Sequence, residues 1–310
     1  MSITRRSLAG LAAVLAVAAA GTAQAQDWKS KYKELVLAAV PDENASGMTE
    51  RYAGFVAYLS KQLGVPVKLR VANDYAAVIE GQKAGNIHIA QYGPASYARA
   101  FMIGAKIEPF GMQVNADGGK GFHAVLYVKA GAPYKKVEDL KGKNLCLVDP
   151  NSTSGNNVPR FAMDKMGIDP EKFFGKVVYA GSHENAVIAV AQGTCDAAWN
   201  WWNDADESNL KRMERKKMEV AGKPIKYSDF DIVFTSDKIV NSPIAYLSDL
   251  PADLKKAISD ACFNIGTNDP EAFKKLTDGK AQPWVPTSHK EYQPIVELNE
   301  FVDKLKKKKS

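Results

Sequence analysis

Seven consecutive residues, Asp149-Pro150-Asn151-Ser152-Thr153-Ser154-Gly155, concentrate more chemistry than any other stretch of the chain. They follow an apolar strand pattern and open a helical one. Ser152, Thr153 and Ser154 offer hydroxyl donors beside the backbone N–H groups that the first turn of a helix leaves unpaired. The helix dipole adds partial positive charge at the same end. Such a start can hold a tetrahedral oxyanion without any lysine. A single Ser or Thr would read as an ordinary N-cap; three in a row at the mouth of an α/β lobe favour anion binding. Gly155 is read as letting the backbone approach a ligand closely. No G-x-x-x-x-G-K-S/T occurs, so nucleotide hydrolysis is unsupported.

Two further groups could join this chemistry. His183 opens another predicted helix, after Tyr179-Ala180-Gly181-Ser182, where it could donate to an oxyanion. On its residues alone, a surface or capping histidine is the ordinary reading. Trp199, Trp201 and Trp202 cluster at the end of a strand that begins at Cys195. Trp199 and Trp201 share a face if the strand persists, and there they either wall a pocket or pack in a core. Enzyme signatures are missing: there is no G-x-S-x-G, no H-E-x-x-H, and no G-x-G-x-x-G followed by an acidic residue. His88, His123, His183 and His289 have no metal-like spacing, and Asp204 with Asp206 reads as loop solvation. Neither catalysis nor a cofactor is expected.

The elements that must position these residues alternate strand and helix. Apolar strands are predicted over residues 35–40, 67–71 and 87–91, with helices over 51–63, 75–84 and 96–103 between and after them. The same grammar restarts with strands over 144–148, 176–179 and 195–199 and helices over 157–166 and 184–192. This order implies mainly parallel sheets with helices on both faces. Residues 123–128 could carry the chain from one lobe to the other, and 232–236 could return it. The expected domains are a signal peptide over 1–25, lobe 1 over 26–124 plus 237–310, and lobe 2 over 125–236. Ligands in open α/β sheets bind at the carboxyl ends of strands, which puts the site in the cleft between lobes.

Compartment and charge narrow the function classes. Arg5 and Arg6, the apolar run from Leu8 to Ala20, and Ala23-Gln24-Ala25 have the anatomy of a secretory signal cleaved after Ala25. Thr4-Arg5-Arg6-Ser7-Leu8 also fits a twin-arginine signal, a pattern that ordinary n-regions produce as well. The net charge is +6; without Arg5 and Arg6 it is +4, and without Lys304, Lys306, Lys307, Lys308 and Lys309 as well it is −1. The basic excess is therefore a tail effect, and nucleic-acid binding is not expected. Cys146 and Cys195 fall in predicted strands of one lobe, so a bond between them is open, although buried apolar cysteine is the commoner case.

At these residues the chain resembles the phosphonate-binding proteins of ABC importers, which have the type II periplasmic binding protein fold. The matching segments are Asp74 to Gly81, Tyr92-Gly93-Pro94-Ala95-Ser96-Tyr97, Asp149 to Gly155, Gly181-Ser182-His183-Glu184-Asn185 and Asn241-Ser242-Pro243-Ile244. The resemblance implies two Rossmann-like α/β lobes joined by a two-strand hinge. It implies that Tyr75, Ser152, Thr153, Ser154 and His183 bind phosphonyl oxygens. Phe122 stands where binders of aminoalkyl phosphonates have a tyrosine, and Asn203 and Ser242 stand where they have two carboxylates for the amine. With Trp199 read as a pocket wall, the expected ligand is a small phosphonate-type anion with an uncharged substituent. Phosphite or phosphate is the alternative ligand, and a sensory binding protein for a membrane receptor is the alternative role. The expected setting is the periplasm, with an ABC permease of the inner membrane as partner. The chain ends soon after residue 301, without the long helical extension of dimeric members, so a monomer is expected.

Overall fold

A computed structural model describes residues 28–307. The signal peptide expected over residues 1–25, and Lys308 and Lys309 of the basic tail, lie outside the described residues.

The first sheet is built around β1 (Leu35–Ala39). Leu35, Leu37, Ala38 and Ala39 are buried on both faces, as expected of a central parallel strand. β1 pairs in parallel with β2 (Val67–Val71) on one side and β3 (Ile89–Gln91) on the other. The crossover helices are α1 (Ala45–Leu63) and α2 (Tyr75–Lys83), and α3 (Pro94–Met102) follows β3. Each starts where local chemistry permits. Asn44 accepts from the Gly47 N–H and Asp74 from the Ala77 N–H, while Gly93 and Pro94 open α3. α1 begins six residues earlier than its periodicity suggested, because Gly47 sits harmlessly in the first turn under the Asn44 cap.

β4 (Ile107–Asn115) closes this side and β5 (Gly121–Lys129) enters the second sheet. There β6 (Asn144–Leu147) leads to α4 (Val158–Lys165), β7 (Lys176–Tyr179) to α5 (His183–Gln192), and β8 (Ala197–Trp202) to α6 (Asn209–Arg215). β6 pairs in parallel with β7 and β8, whereas β5 runs antiparallel to β8 with His123 opposite Trp202. β9 (Phe230–Thr235) and β10 (Ile239–Val240) both pair with β5, and Ile239 stands opposite Phe122. β11 (Pro243–Leu247) then lies antiparallel between β3 and β4. α7 (Ala252–Asn268), α8 (Pro270–Thr277), β12 (Ala281–Pro286) and α9 (Gln293–Lys307) complete the chain.

The chain thus passes between two α/β lobes twice, between β4 and β5 and between β10 and β11, as a two-strand hinge requires. Residues 123–128 and 232–236, expected to carry the crossings, instead pair with each other inside the second sheet, because β5 and β9 are neighbouring antiparallel strands there. The crossings fall just before Gly121 and just after Val240. α9 adds a third link. Ile295 and Val296 pack into the core of the second sheet, while Asn299 donates to the Ala95 carbonyl of α3 at 2.8 Å and Asp303 pairs with Arg99 at 2.7 Å. Cys146 on β6 and Cys195 just before β8 are joined as a disulfide, where burial of free thiols was the commoner expectation; Cys262 is buried and free. The parallel pairing of the two segments brings their Cα atoms to 5.8 Å, within bonding range.

Replacing both Cys146 and Cys195 with Ser should lower the unfolding free energy by about 2–4 kcal/mol, since the bond closes a long loop in the unfolded chain. Urea denaturation of the oxidised protein and of the double variant measures this; equal midpoints would show that the bond contributes nothing to stability.

Candidate functional site

The loop between β6 and α4 is organised by hydrogen bonds to its own backbone. Asp149 accepts the Asn151 N–H at 2.7 Å, Asn156 donates to the Pro150 carbonyl at 2.8 Å, and Asn157 donates to the Ser152 carbonyl at 3.2 Å. A wide π-type turn over Thr153–Asn157 then precedes α4, and Ser152 caps it by accepting the Gly155 N–H. Such turns recur at functional sites. Asn156 is held in place by Arg160 at 2.9 Å and by the Tyr179 hydroxyl at 3.0 Å. The serine and threonine hydroxyls are therefore presented by a braced backbone. Gly155 has a different reason from the one its sequence suggested. A Cβ there would lie 2.4 Å from the Val148 side chain, so the glycine permits packing of the turn onto its own strand.

Helix starts from both lobes converge on one cleft of about 140 Å³. Its lining includes Tyr75 at the start of α2, Gly93 before α3, Ser152 to Ser154 before α4, and His183 at the start of α5. The positive ends of these helices thus share one space, which favours an anion. The Thr153 hydroxyl accepts the Ala95 N–H of α3 at 2.9 Å, which leaves its own hydrogen free to donate. His183 Nε2 is 3.3 Å from the Ser152 hydroxyl, and the buried Tyr75 ring lines the same cleft. Burial pushes the Tyr75 phenol well above its ordinary range, with the Asp42 carboxylate adding to the effect, so it stays a protonated donor. Burial lowers the His183 pKa, opposed by the Asp42 carboxylate, so the imidazole is neutral at neutral pH and keeps one donor and one acceptor nitrogen.

Of the other residues singled out by sequence, Phe122, Asn203 and Ser242 also line the cleft. Trp199 does not. It is fully buried and packs edge-on against Phe234 at 5.5 Å. It shares a strand face with Trp201, but Trp201 stands two residues nearer the carboxyl end of β8 and is the one that reaches the cleft. Asp204 turns away to accept the N–H groups of Asp206 and Glu207 at 2.7 and 2.8 Å. The carboxylate that this loop sends to the cleft is Glu207. Burial pushes Glu207 up to about 7, offset in part by a hydrogen bond from Asn203.

Sequence reading missed the charged groups at the cleft: Asp42, Arg51 and Arg212. Asp42 follows the carboxyl end of β1, a position that strand order alone could have flagged. Burial would raise its pKa, but Arg212 and Arg51 outweigh this and hold it ionised, well below the usual carboxylate range. Arg212 lies 2.6 Å from Asp42 and Arg51 lies 3.2 Å from Glu43, so both guanidinium charges are already matched. Among the described residues no cluster of His, Cys, Asp and Glu could hold a metal ion.

Comparison with known proteins gives matches over most of the chain. The family described as "ABC transporter, phosphonate, periplasmic substrate-binding protein" matches residues 37–292. The chain is 28% identical over 305 residues to the phosphate-import protein PhnD of Mycolicibacterium smegmatis, covering 93% of this chain and 92% of that protein. It is 29% identical over 273 residues to the phosphonates-binding periplasmic protein of Escherichia coli, covering 87% and 77% respectively. A solved binding-protein component of an ABC phosphonate transporter from Pseudomonas aeruginosa superposes with a TM-score of 0.76 at 27% identity, covering 86% of each chain.

The packing role of Gly155 makes a prediction that needs no ligand. Gly155→Ala should destabilise the fold by about 1–3 kcal/mol through overpacking against Val148. A thermal melt compares it with Ala180→Gly, a change outside this turn; an unchanged Tm for Gly155→Ala would return Gly155 to a role at the ligand.

Proposed function

The chain belongs to the family of periplasmic substrate-binding proteins of phosphonate ABC transporters, and on that premise we propose that its solute is a small phosphonate-type anion with an uncharged substituent, held by Tyr75, Ser152, Thr153, Ser154 and His183. The protein is a solute-binding component of an importer and not an enzyme; its partners are the anion and a membrane permease. The observation that carries the ligand reading is the convergence of helix starts and hydroxyls from both lobes on a cleft whose arginines are already paired. Positive dipole ends and neutral donors suit an oxyanion, and they impose no desolvated cation when the cleft is empty.

The substituent would sit against Phe122 and Trp201, with Asn203 and Ser242 beside it. Trp201 takes the place first given to Trp199. Asn203 and Ser242 carry no charge, and a buried ammonium is tolerated only when paired. Methylphosphonate, ethylphosphonate or phosphite should therefore bind better than 2-aminoethylphosphonate. One observation favours a second reading: Glu207 lines the cleft and could meet an amine. Burial pushes Glu207 up to about 7, so near neutral pH it is only partly ionised and would have to lose its proton to serve. The related phosphate importer keeps inorganic phosphate among the candidates.

Delivery follows from hinge closure. The moving bodies would be residues 26–124 plus 237–310 and residues 125–236, swinging about the two strand crossings. The anion bridges the hydroxyl-rich start of α4 to Tyr75, and the closed form docks on the permease. The protein would be exported with its signal peptide cleaved after Ala25, and would work as a monomer without binding nucleic acid, since its basic excess lies in the terminal lysines.

Isothermal titration of ligand-free protein with methylphosphonate, ethylphosphonate, phosphite, phosphate and 2-aminoethylphosphonate tests the ligand. If 2-aminoethylphosphonate binds at least about tenfold tighter than the rest, a gap of about 1.4 kcal/mol, and Glu207→Gln removes that advantage, the second reading replaces the first. Ser152→Ala, Thr153→Ala and Ser154→Ala should each weaken the preferred anion by at least about 1 kcal/mol, because charge-assisted hydrogen bonds contribute roughly 1.5–3 kcal/mol. Wild-type affinity in all three variants would remove the anion loop from the site.

A further inference from the structure

Beside the cleft, where α6 of the second lobe meets the loop after β1 of the first, charged side chains form one connected cluster. Arg212 on α6 donates to Asp42 at 2.6 Å and lies 3.4 Å from Glu43. Its Nε is 3.0 Å from Asp278, which follows α8 of the first lobe. Lys216, one turn further on, pairs with the same Glu43. From the first lobe, Arg51 shares both carboxylates, at 3.5 Å from Asp42 and 3.2 Å from Glu43. A backbone contact closes the same seam, with the Asn44 N–H donating to Glu184 of α5 at 2.8 Å.

Two features separate this cluster from ordinary surface pairing, which contributes little. Its centre is buried, the Glu43 side chain being only 2% exposed. The pairs of Arg212 and Lys216 also cross between lobes, so they exist only while the lobes are together. Arg212 in addition lies against the Trp201 ring, 4.8 Å from its centroid, and both residues line the cleft. One side chain therefore ties the loop after β1, the end of α8 and the pocket wall into a single arrangement.

We propose that Arg212 is a positioning residue of the cleft: through Asp42, Glu43 and Asp278 it latches the two lobes in the closed arrangement and holds Trp201 against the solute. The proposal rests on the hinged-binding reading above, but it does not require Arg212 to touch the solute. Contacts made only in the closed form raise its population, and the apparent Kd falls in proportion to that population. The latch therefore raises affinity for any solute that the cleft accepts.

Small-angle scattering of the ligand-free protein at about 20 mM and about 500 mM NaCl tests this, because salt screens the partly exposed pairs. The wild type should be more compact at low salt. Arg212→Gln should have the larger radius of gyration at both concentrations, Arg212→Lys should recover part of the low-salt compaction, and Asp278→Asn should fall between. Asp278 lies at the edge of the cluster, so Asp278→Asn carries the test if Arg212→Gln does not fold. Titration with methylphosphonate should then show about a tenfold weaker Kd in Arg212→Gln, as expected if the closed population falls by that factor. A radius independent of salt in the wild type and unchanged in the folded variants overturns the latch. Salt-dependent compaction in a wild type that binds none of the phosphonate, phosphite or phosphate probes would uphold the latch and overturn the phosphonate reading instead.

Discussion

Arg51 and Arg212 both reach the cleft, and both are committed to Asp42 and Glu43. That charge balance constrains the rest of the site. An anion entering here finds no free guanidinium, so its charge must be met by N–H groups, hydroxyls and helix dipoles. Those are useful only if the helices start at the cleft and point their first turns into it. The N-caps at Asp74, Ser152 and Ser182 therefore serve the site as well as the helices, since each sets where a first turn begins. The arrangement also keeps the empty cleft stable, because unpaired buried cations would be costly in the absence of ligand.

The same ion pairs connect chemistry to motion. On the proposed hinge motion, what the lobes meet when they close decides how much of the time they stay closed. Carboxylates from the loop after β1 face arginine and lysine from α6 across that seam. The hydroxyls proposed to hold the anion and His183 belong to the second lobe, whereas Tyr75 and the start of α3 belong to the first. Thr153 accepts the Ala95 N–H across the seam, a direct bond between the two halves of the site.

Behind the hinge, α9 lies against both α3 and the core of the second lobe. Apolar packing by Ile295 and Val296 and the paired Arg99 and Asp303 tie the end of the described chain to both sides of the seam. The cleft and the packing at the back are thus linked through α3, whose cap residue Gly93 lines the cleft and whose last turn carries Arg99.

Local chemistry decided much of this protein from its sequence. Apolar runs placed β1, β3 and β6 within one or two residues, because a strand buried on both faces needs little beyond its own side chains to declare itself, whereas β8 runs three residues past its expected end. The run of hydroxyls after Asp149 marked a turn that opens a helix at the cleft, since helix starts are local events. Other features depend on which segments meet in space, and no periodicity encodes that. Trp199 and Trp201 look alike along the strand, and only the depth of the sheet end separates the core residue from the cleft wall. Asp204, Asp206 and Glu207 are all carboxylates in one short loop, and the turn alone decides that Glu207 faces inward. Gly155 signals freedom, while its necessity comes from Val148 on the preceding strand. Asp42 and Arg212 are 170 residues apart, and their pairing exists because the fold sets α6 of one lobe against the loop after β1 of the other.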